Sequence, residues 1–368
     1  MTGKDIARMA FEQVKPPRVP VTVIGGGAWN MHAAGKTFCE IKSSPETIAD
    51  VQVRAFRRIG HDLIWTGAGF LNYPIHCLGC SIQDNSSDAP SLVGTAIKTL
   101  REVDSLNIDT VFQNSIMKGI IHSQHLVADE IGKETFILQN QWGPFTTASR
   151  IVGIEALIMG MMEDPEKVNE LIRFSAELVW ASAERILAHN DIPGMCLCEP
   201  VASEDMISPS LFREFVAPVL NDLVTRARAI DKYSMIHICG NSTDILSDVL
   251  AIGPDCFSLE SKVDLGVARK ILGGKVCVVG NMSPTGVFWS GSPEEVVKEG
   301  VECVKKWGDE SGYILSLGCD FPKDVPFENI HALMSIRDVD FNHHCTKKAL
   351  KEKDIMTEKH HIPLGVGF

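Results

Sequence analysis

A histidine and a cysteine stand two residues apart at the end of an apolar run, in the segment SMIHICGNST (residues 234–243). Side chains alternate across a β-strand, so His237 and Cys239 should project from the same face. Imidazole nitrogen and thiolate sulfur are ligands that suit zinc. The competing interpretation is that His237 is a hydrogen-bonded core histidine and that Cys239 is a small packing residue. The pair alone leaves these two interpretations open.

Two further candidate ligands follow other apolar runs. Cys319 comes directly after the run GYILSLG, and Glu260 ends the run CFSLE. If these runs are strands of one barrel, their ends converge on one face, which is where such folds build their sites. One imidazole and two thiolates leave a fourth zinc position open, as catalytic sites require, and Glu260 can fill it until a substrate displaces it. This convergence favours a zinc site over core packing.

The apolar runs that would position these residues recur along the chain, and helical patterns separate them. Their positions are 19–25, 62–67, 135–141, 194–199, 234–239, 256–260, 275–280 and 312–318. Near-continuous apolar strands that alternate with helices indicate a parallel sheet buried on both faces. Eight such units predict an α/β fold of the (β/α)8 type, a TIM barrel, and a doubly wound open sheet is the alternative.

Two of the helices have readable starts. Ser292, Pro293 and Glu295 form an N-cap, a first-turn proline and a capping box. Asp164 and Pro165 give a similar signal ahead of a long amphipathic pattern. Both segments are expected to be scaffold helices.

The domain organisation follows from the remaining segments. The stretch 67–130 is long and rich in Gly, Asn and Ser, so we expect loops and short helices inserted over the C-terminal face of the barrel. With an N-terminal extension, residues 1–345 should form a single catalytic barrel. The Lys-rich and then polar residues 346–368 are expected to be a peripheral tail.

Composition and charge restrict the possible partners. The 368 residues carry a formal net charge of −12, and 45% of them are apolar. Nucleic acid and anionic membranes require clustered Lys and Arg, so neither is expected as a partner. A small molecule or another protein is expected instead, with the chain a monomer or homodimer. The N-terminal segment lacks the apolar core of a secretory signal, and no apolar stretch is long enough to span a bilayer, so we expect a cytoplasmic location and reduced thiols.

Other cysteine and glycine patterns give weaker signals. Cys77 and Cys80 have C-x-x-C spacing but no second ligand pair, so a metal or disulfide role is only a minor alternative. Cys196 and Cys198 fall within an apolar strand and are expected to be core residues. No phosphate-binding or dinucleotide-binding glycine motif occurs, so no nucleotide cofactor is indicated.

Over nearly its full length the chain resembles the uroporphyrinogen decarboxylase superfamily. The segments that carry the resemblance are, in order, WNMHAAGKTF, QWGPFTTASRIVG, CEPVASEDMISPSLFREFVAPVL, HICGNST, VVGNMSPTGVFWSGSPEEV and LGCDFPKDVPFENIHAL. The chain departs from the decarboxylases where their chemistry takes place. His32 and Lys36 occupy the places of two arginines that hold substrate carboxylates, and Gly67 stands near the place of the catalytic aspartate. Decarboxylation is therefore not expected.

The HICG segment and the later GC pair are similar to the zinc-dependent, corrinoid-linked methyltransferases of that superfamily. This resemblance implies that His237, Cys239 and Cys319 bind zinc, that Glu260 can complete the zinc shell and act in catalysis, and that a separate corrinoid protein carries cobalamin. The main expectation is transfer of a methyl group from an O-methyl compound, such as a methoxylated aromatic, to cob(I)alamin. The first alternative is methylation of coenzyme M or another small thiol. The second is a non-catalytic or decarboxylase homologue with a structural zinc.

Aromatic and polar side chains near the expected strand ends are candidates for substrate contacts. Aromatic rings there would suit a flat apolar substrate, although ordinary packing over the barrel accounts for them equally well. The predicted substrate-binding residues are Trp29, His32, Trp65, Phe70, Tyr73, Glu199 and Asn281.

Overall fold

The computed structural model describes residues 1–85, 88–339 and 341, and its centre is a parallel sheet. The strands are β1 (Leu63–Thr66), β2 (Ser81–Gln83), β3 (Ser91–Val93), β4 (Phe136–Trp142), β5 (Gly194–Cys198), β6 (Tyr233–Ile238), β7 (Cys256–Leu259), β8 (Cys277–Met282) and β9 (Tyr313–Leu317). A 7-stranded sheet has the order β1-β4-β5-β6-β7-β8-β9, and β2 and β3 form a separate antiparallel pair. The fold is α/β and TIM-barrel-like, as the sequence predicts. We call the end at which the C-termini of the parallel strands lie the mouth.

Helices connect the strands and enclose the sheet. They are α1 (Gly3–Phe11), α2 (Gly27–Ala33), α3 (Phe38–Ile41), α4 (Pro45–Ile59), α5 (Tyr73–Cys77), α6 (Ile108–Gln113), α7 (Ser115–Ile131), α8 (Pro144–Val152), α9 (Ile154–Glu163), α10 (Pro165–Leu187), α11 (Pro209–Leu211), α12 (Ala217–Ala229), α13 (Leu246–Ile252), α14 (Leu265–Leu272), α15 (Val287–Ser290), α16 (Pro293–Trp307) and α17 (Phe327–Ser335). Short 3-10 turns span Leu100–Ser105, Pro200–Ala202, Thr243–Ile245 and Ile336–Asp338, and a π-helical turn spans Phe212–Val216.

Both predicted helix starts are confirmed. The Ser292 side chain accepts a hydrogen bond from Glu295 N in a capping box before α16, and Asp164 accepts one from Lys167 N before α10. Among the described residues, no single helix is long and apolar enough to cross a membrane. Helices α8 and α9 are long and apolar enough for a membrane span only when they are taken together, and the pair is bent by 104° where they join.

The described chain from Met1 to Arg337 forms one compact unit. The stretch 67–130 contains the β2–β3 hairpin and the short helices α5 and α6, but also α7 of 17 residues, so it is more regular than the sequence suggests. The predicted domain boundary at residue 345 and the tail 346–368 lie outside the described residues.

The first predicted strand, at 19–25, forms only an isolated parallel bridge, between Val21 and Leu315 of β9. On that side Thr22 N donates to Leu315 O at 3.0 Å, and on the other side Asp62 N donates to Val21 O at 3.1 Å. The N–H of Val21, however, donates to the Asp62 carboxylate at 2.9 Å rather than to a strand carbonyl. This segment therefore joins the two edges of the sheet, but a side chain interrupts the backbone ladder that a regular strand would need.

Alternate residues of the parallel strands fill the barrel interior. One buried cluster includes Leu63, Trp65, Phe136, Leu138, Cys196, Cys198, Met235, Cys256, Cys277, Val279 and Ile314. Cys196 and Cys198 are buried among these residues, which confirms the expectation that they belong to the core. The cluster closes the barrel below the mouth, so polar chemistry is confined to the strand ends.

The first prediction concerns the junction between the sheet edges. Asp62 is buried and accepts two hydrogen bonds from Arg18, at 2.6 and 2.7 Å, in addition to that from Val21. Replacing Asp62 with Asn exchanges the carboxylate that accepts both hydrogen bonds from Arg18 for a neutral amide, so the free energy of unfolding should fall by about 2–3 kcal/mol. Urea titration at constant m-value measures this change.

The control is Asp50→Asn, which removes an exposed carboxylate that pairs with Arg54 at 2.8 Å within α4. That change should alter the free energy of unfolding by less than about 0.5 kcal/mol. Equal effects of the two substitutions would contradict the structural importance of the Asp62 contacts.

Candidate metal site

The structure brings three predicted ligands together at the mouth. His237 Nε2 lies 2.8 Å from Cys239 Sγ and 3.8 Å from Cys319 Sγ, and the two sulfur atoms are 3.1 Å apart. All three ligand atoms lie within 4.8 Å of one another, and no other such group of three is found among the described residues. One nitrogen and two sulfur donors fit a tetrahedral zinc ion whose fourth position is free for a ligand.

Glycines allow the loops that carry the cysteines to approach their neighbours. A Cβ atom on Gly318 would lie 2.5 Å from Ser261 N and 2.9 Å from the Cα atom of Glu260. A Cβ atom on Gly240, which has φ of +95°, would lie 2.5 Å from Asp205 Oδ2. Only residues without a side chain fit at these two positions, each next to a cysteine of the cluster.

The two thiols share a proton unequally. Hydrogen bonding from Cys239, supported by His237, lowers the pKa of the Cys319 thiol. The same contact raises the pKa of Cys239, because its proton is held by the Cys319 sulfur, and burial raises it further. The cluster therefore presents a thiolate at Cys319, and a thiolate is the form in which cysteine binds a metal ion.

The His237 ring is fixed from two sides. Its Nδ1 atom lies 2.9 Å from the hydroxyl oxygen of Ser258, which is completely buried in β7. The Trp65 ring packs edge-on against it, with ring centroids 5.5 Å apart. These contacts direct Nε2 toward the sulfur atoms. Ser258 was not among the sequence candidates, although it lies two residues before Glu260 and so shares its face of the strand.

Glu260 faces its own loop in this structure. Its carboxylate accepts hydrogen bonds from Ser261 Oγ at 2.7 Å and from Lys262 N at 3.0 Å. It is not part of the group of three ligand atoms. Asn281 holds the same loop, because its side-chain amide donates to Glu260 O at 3.1 Å and to Val263 O at 2.7 Å. Glu260 must release its two hydrogen bonds before it can bind a metal ion.

Glu199, another predicted substrate-binding residue, is completely buried at the end of β5. Its carboxylate accepts hydrogen bonds from Phe145 N, Thr146 N and Thr146 Oγ1 at 2.9, 2.7 and 2.6 Å. Burial raises the pKa of Glu199 to about 7, against the opposing effect of these donors. The contacts place this side chain at the N-terminus of α8, where it orients the helix.

The remaining predicted substrate-binding residues lie in three different environments. Trp29 is buried and donates from Nε1 to Val325 O at 3.1 Å. Phe70 and Tyr73 belong to a second buried cluster, outside the barrel interior. His32 is exposed on α2. Of the aromatic candidates, the structure brings only Trp65 against the cluster.

The C-x-x-C pair lies apart from the cluster. Cys77 is half-buried, Cys80 is buried, and both are free thiols. Cys80 Sγ lies 3.3 Å from Gly94 O, and neither residue belongs to a group of potential metal ligands.

Removing the Ser258 hydroxyl tests how the histidine is held. Ser258→Ala deprives His237 Nδ1 of its partner, so the imidazole can rotate, and zinc affinity should fall roughly 10–100-fold. Competition with a chromogenic chelator measures that affinity. Ser316→Ala is the matched control, since Ser316 is equally buried in a parallel strand but its hydroxyl has no hydrogen-bond partner. A similar loss of affinity in both variants would contradict this role for Ser258.

Comparison with known proteins assigns the chain to a family. Residues 2–338 match the family described as Uroporphyrinogen decarboxylase (URO-D). A methylcobamide:CoM methyltransferase of Methanosarcina mazei is 26% identical over 299 residues, which cover 79% of this chain and 85% of that protein. A methylcobamide:CoM methyltransferase of Methanosarcina barkeri is 24% identical over 315 residues, covering 84% and 88%. A solved structure described as a methyltransferase from Methanosarcina mazei has a TM-score of 0.82 at 22% identity, over 92% of this chain and 98% of that one. The chain belongs to the uroporphyrinogen decarboxylase family.

Proposed function

We propose that this protein is a zinc-dependent methyltransferase that transfers a methyl group between the cobalamin of a separate corrinoid protein and a small thiol. The observation that carries the proposal is the cluster of His237, Cys239 and Cys319 at the mouth. The relatives named as methylcobamide:CoM methyltransferases support a thiol such as coenzyme M as the acceptor.

The donor set suits this chemistry. Zinc held by these three residues would supply a Lewis acid that keeps a substrate thiol deprotonated near neutral pH. His237 is buried, whereas Cys239 and Cys319 are half-buried, so the sulfur side of the cluster is the accessible one. A thiol can approach from there while Ser258 and Trp65 keep the histidine in place.

The partner follows from the reaction. In the forward direction the thiolate sulfur takes the methyl group, and both electrons of the cobalt–carbon bond remain on cobalt. The sequence contains no D-x-H-x-x-G segment of the kind that binds corrinoids. A second protein that presents its corrinoid at the mouth is therefore the partner that we propose.

Demethylation of a methoxylated aromatic, the main expectation from the sequence, has less support. That expectation relied on aromatic rings around the substrate, but Trp29, Phe70 and Tyr73 are buried in packing contacts away from the cluster. A purely structural zinc also has less support, because three protein ligands leave one position for substrate.

One assay separates these functions. The zinc-loaded protein is mixed with methylcobalamin and a panel of small thiols, or with cob(I)alamin and a panel of methoxyarenes, and the cobalamin spectrum is followed. We expect conversion of methylcobalamin with thiols. Conversion only with methoxyarenes would support demethylation, and zinc binding without conversion in either arm would support a structural metal.

The metal assignment is tested by Cys319→Ala. Loss of one of three ligands should reduce zinc from one ion per chain to a small fraction, because two ligands hold the ion poorly. The half-buried side chain lies after β9, so the far-ultraviolet circular dichroism spectrum should not change. Cys77→Ala, at another half-buried thiol, should keep full zinc. Full occupancy in Cys319→Ala, measured by elemental analysis, would exclude this residue as a ligand.

Glu260 is proposed as the exchangeable fourth ligand and is tested by Glu260→Gln. The neutral amide is a poorer ligand, so zinc should stay bound by the other three residues while kcat changes by about tenfold. Zinc X-ray absorption of the wild type should show one oxygen ligand that a thiol replaces by sulfur. Glu302→Gln, on the exposed face of α16, serves as the control and should leave kcat unchanged. An absorption spectrum without an oxygen ligand before thiol is added would remove Glu260 from the mechanism.

A further inference from the structure

Arg150 is a half-buried cation that has no counter-ion in the part of the chain that the structure describes. Its guanidinium stacks on the Trp142 ring, 4.6 Å from the ring centroid. Its Nε atom is buried without a hydrogen-bond partner, and no ion pair of Arg150 is found among the described residues. Burial lowers the pKa of this guanidinium. Of the other stacked arginines, Arg57 and Arg226 contact carboxylates, at Glu130 and at Glu177, whereas Arg58 and Arg185 are exposed to solvent.

An unpaired guanidinium in this environment indicates a missing partner. Burying a cation without a hydrogen-bonded counter-charge is costly, and stacking on an indole offsets only part of that cost. A guanidinium has five N–H donors in a fixed plane, which match the oxygen atoms of a carboxylate or a sulfonate. An anionic ligand would satisfy these donors.

The strand register puts Trp142 in the same row as the metal cluster. Trp142 is paired with Cys198, and Cys198 is paired with His237. Neighbouring strands are about 4.8 Å apart, so the backbones of Trp142 and His237 are separated by roughly 10 Å. Trp142 packs against the barrel interior, as Cys198 does. The stacked pair therefore stands on the wall of the same mouth.

Trp142 is held in a fixed orientation. Its Nε1 atom donates to Asn72 Oδ1 at 2.9 Å, and the Asn72 amide donates to Pro90 O at 2.9 Å. These bonds connect the end of β4 with the stretch 67–130. The indole is thus a rigid support for the guanidinium, and a rigid support reduces the entropy lost on binding.

From this arrangement, and resting on the proposed function, we infer that Arg150, supported by Trp142, binds the anionic group of the thiol substrate. The preferred substrate is a short thiol with a sulfonate or carboxylate at its other end. Two carbons between sulfur and the acidic group span about 5 Å. The metal–sulfur bond and the contact with the guanidinium add roughly 6 Å, so such a thiol has a reach of the same order as the separation between the Trp142 and His237 backbones. Arg150 determines specificity and takes no part in the bond changes.

The test compares two thiols that differ in charge. Methyl transfer from methylcobalamin is measured with 2-mercaptoethanesulfonate and with neutral 2-mercaptoethanol, in the zinc-loaded wild type and in Arg150→Gln. The substitution should raise KM for the sulfonate by roughly tenfold or more, because a charge-assisted contact is lost. It should change neither kcat for the sulfonate nor KM for the neutral thiol. Arg150→Lys keeps the charge and should restore part of the preference. An unchanged preference for the sulfonate in Arg150→Gln would overturn the inference, and so would a wild type without that preference.

Binding is measured separately from turnover. Ethanesulfonate has the anionic group but no thiol, and calorimetry should detect its binding to the wild type and a loss of at least tenfold in Arg150→Gln. Arg58→Gln is the control, since Arg58 also stacks on an aromatic ring, that of Phe327, but lies near the end of α4. Equal binding of ethanesulfonate to wild type and Arg150→Gln would overturn the inference. If neither thiol is methylated but Arg150-dependent binding is found, the proposed function fails and the anion site stands.

Discussion

Parallel strands in register place equivalent side chains next to one another, and the candidate site depends on this constraint. Cys198 and His237 are paired across β5 and β6, and His237 and Ser258 are paired across β6 and β7. The pairing gives the histidine a hydroxyl on one side and a thiol on the other. Because side chains alternate, a shift of one residue in register would turn His237 away from Cys319 and toward the helices.

Contacts between loops hold the strand ends in this arrangement. Asp205 accepts hydrogen bonds from Asn241 N at 3.1 Å and from Lys262 Nζ at 2.8 Å. It thereby connects the loop after Cys239 with the loop that contains Glu260. The exposed charge pair contributes little to overall stability. Its effect is to restrict the relative positions of two loops that carry candidate ligands, which is how a site is preorganised.

Local sequence patterns predicted the parts of this molecule that depend on local physics. Alternation within a strand indicated His237 and Cys239, and capping residues indicated the starts of α10 and α16. The run 19–25 was predicted as a regular strand but forms only an isolated bridge, because the N–H group of Val21 is satisfied by the side chain of Asp62, a contact across 41 residues. The sequence alone did not show which aromatic residues near the strand ends pack in the core and which line the mouth. Whether Trp29 or Trp65 faces the cluster is decided by distant contacts such as that of Trp29 with Val325.

The way in which the barrel closes has a consequence for how the chain folds. Its two edges meet through contacts between early and late residues, such as the hydrogen bond of 2.6 Å from Gly26 N to Asp320 Oδ1, which joins residues 294 positions apart. Contacts between such distant positions form slowly, because a long loop must close before they contribute. During synthesis the early strands emerge well before β9, so the unpaired edge of β1 is exposed until most of the chain has left the ribosome. Cys239 and Cys319 are 80 positions apart and meet only once β9 has taken its place, so a metal ion held by them would bind only the completed barrel.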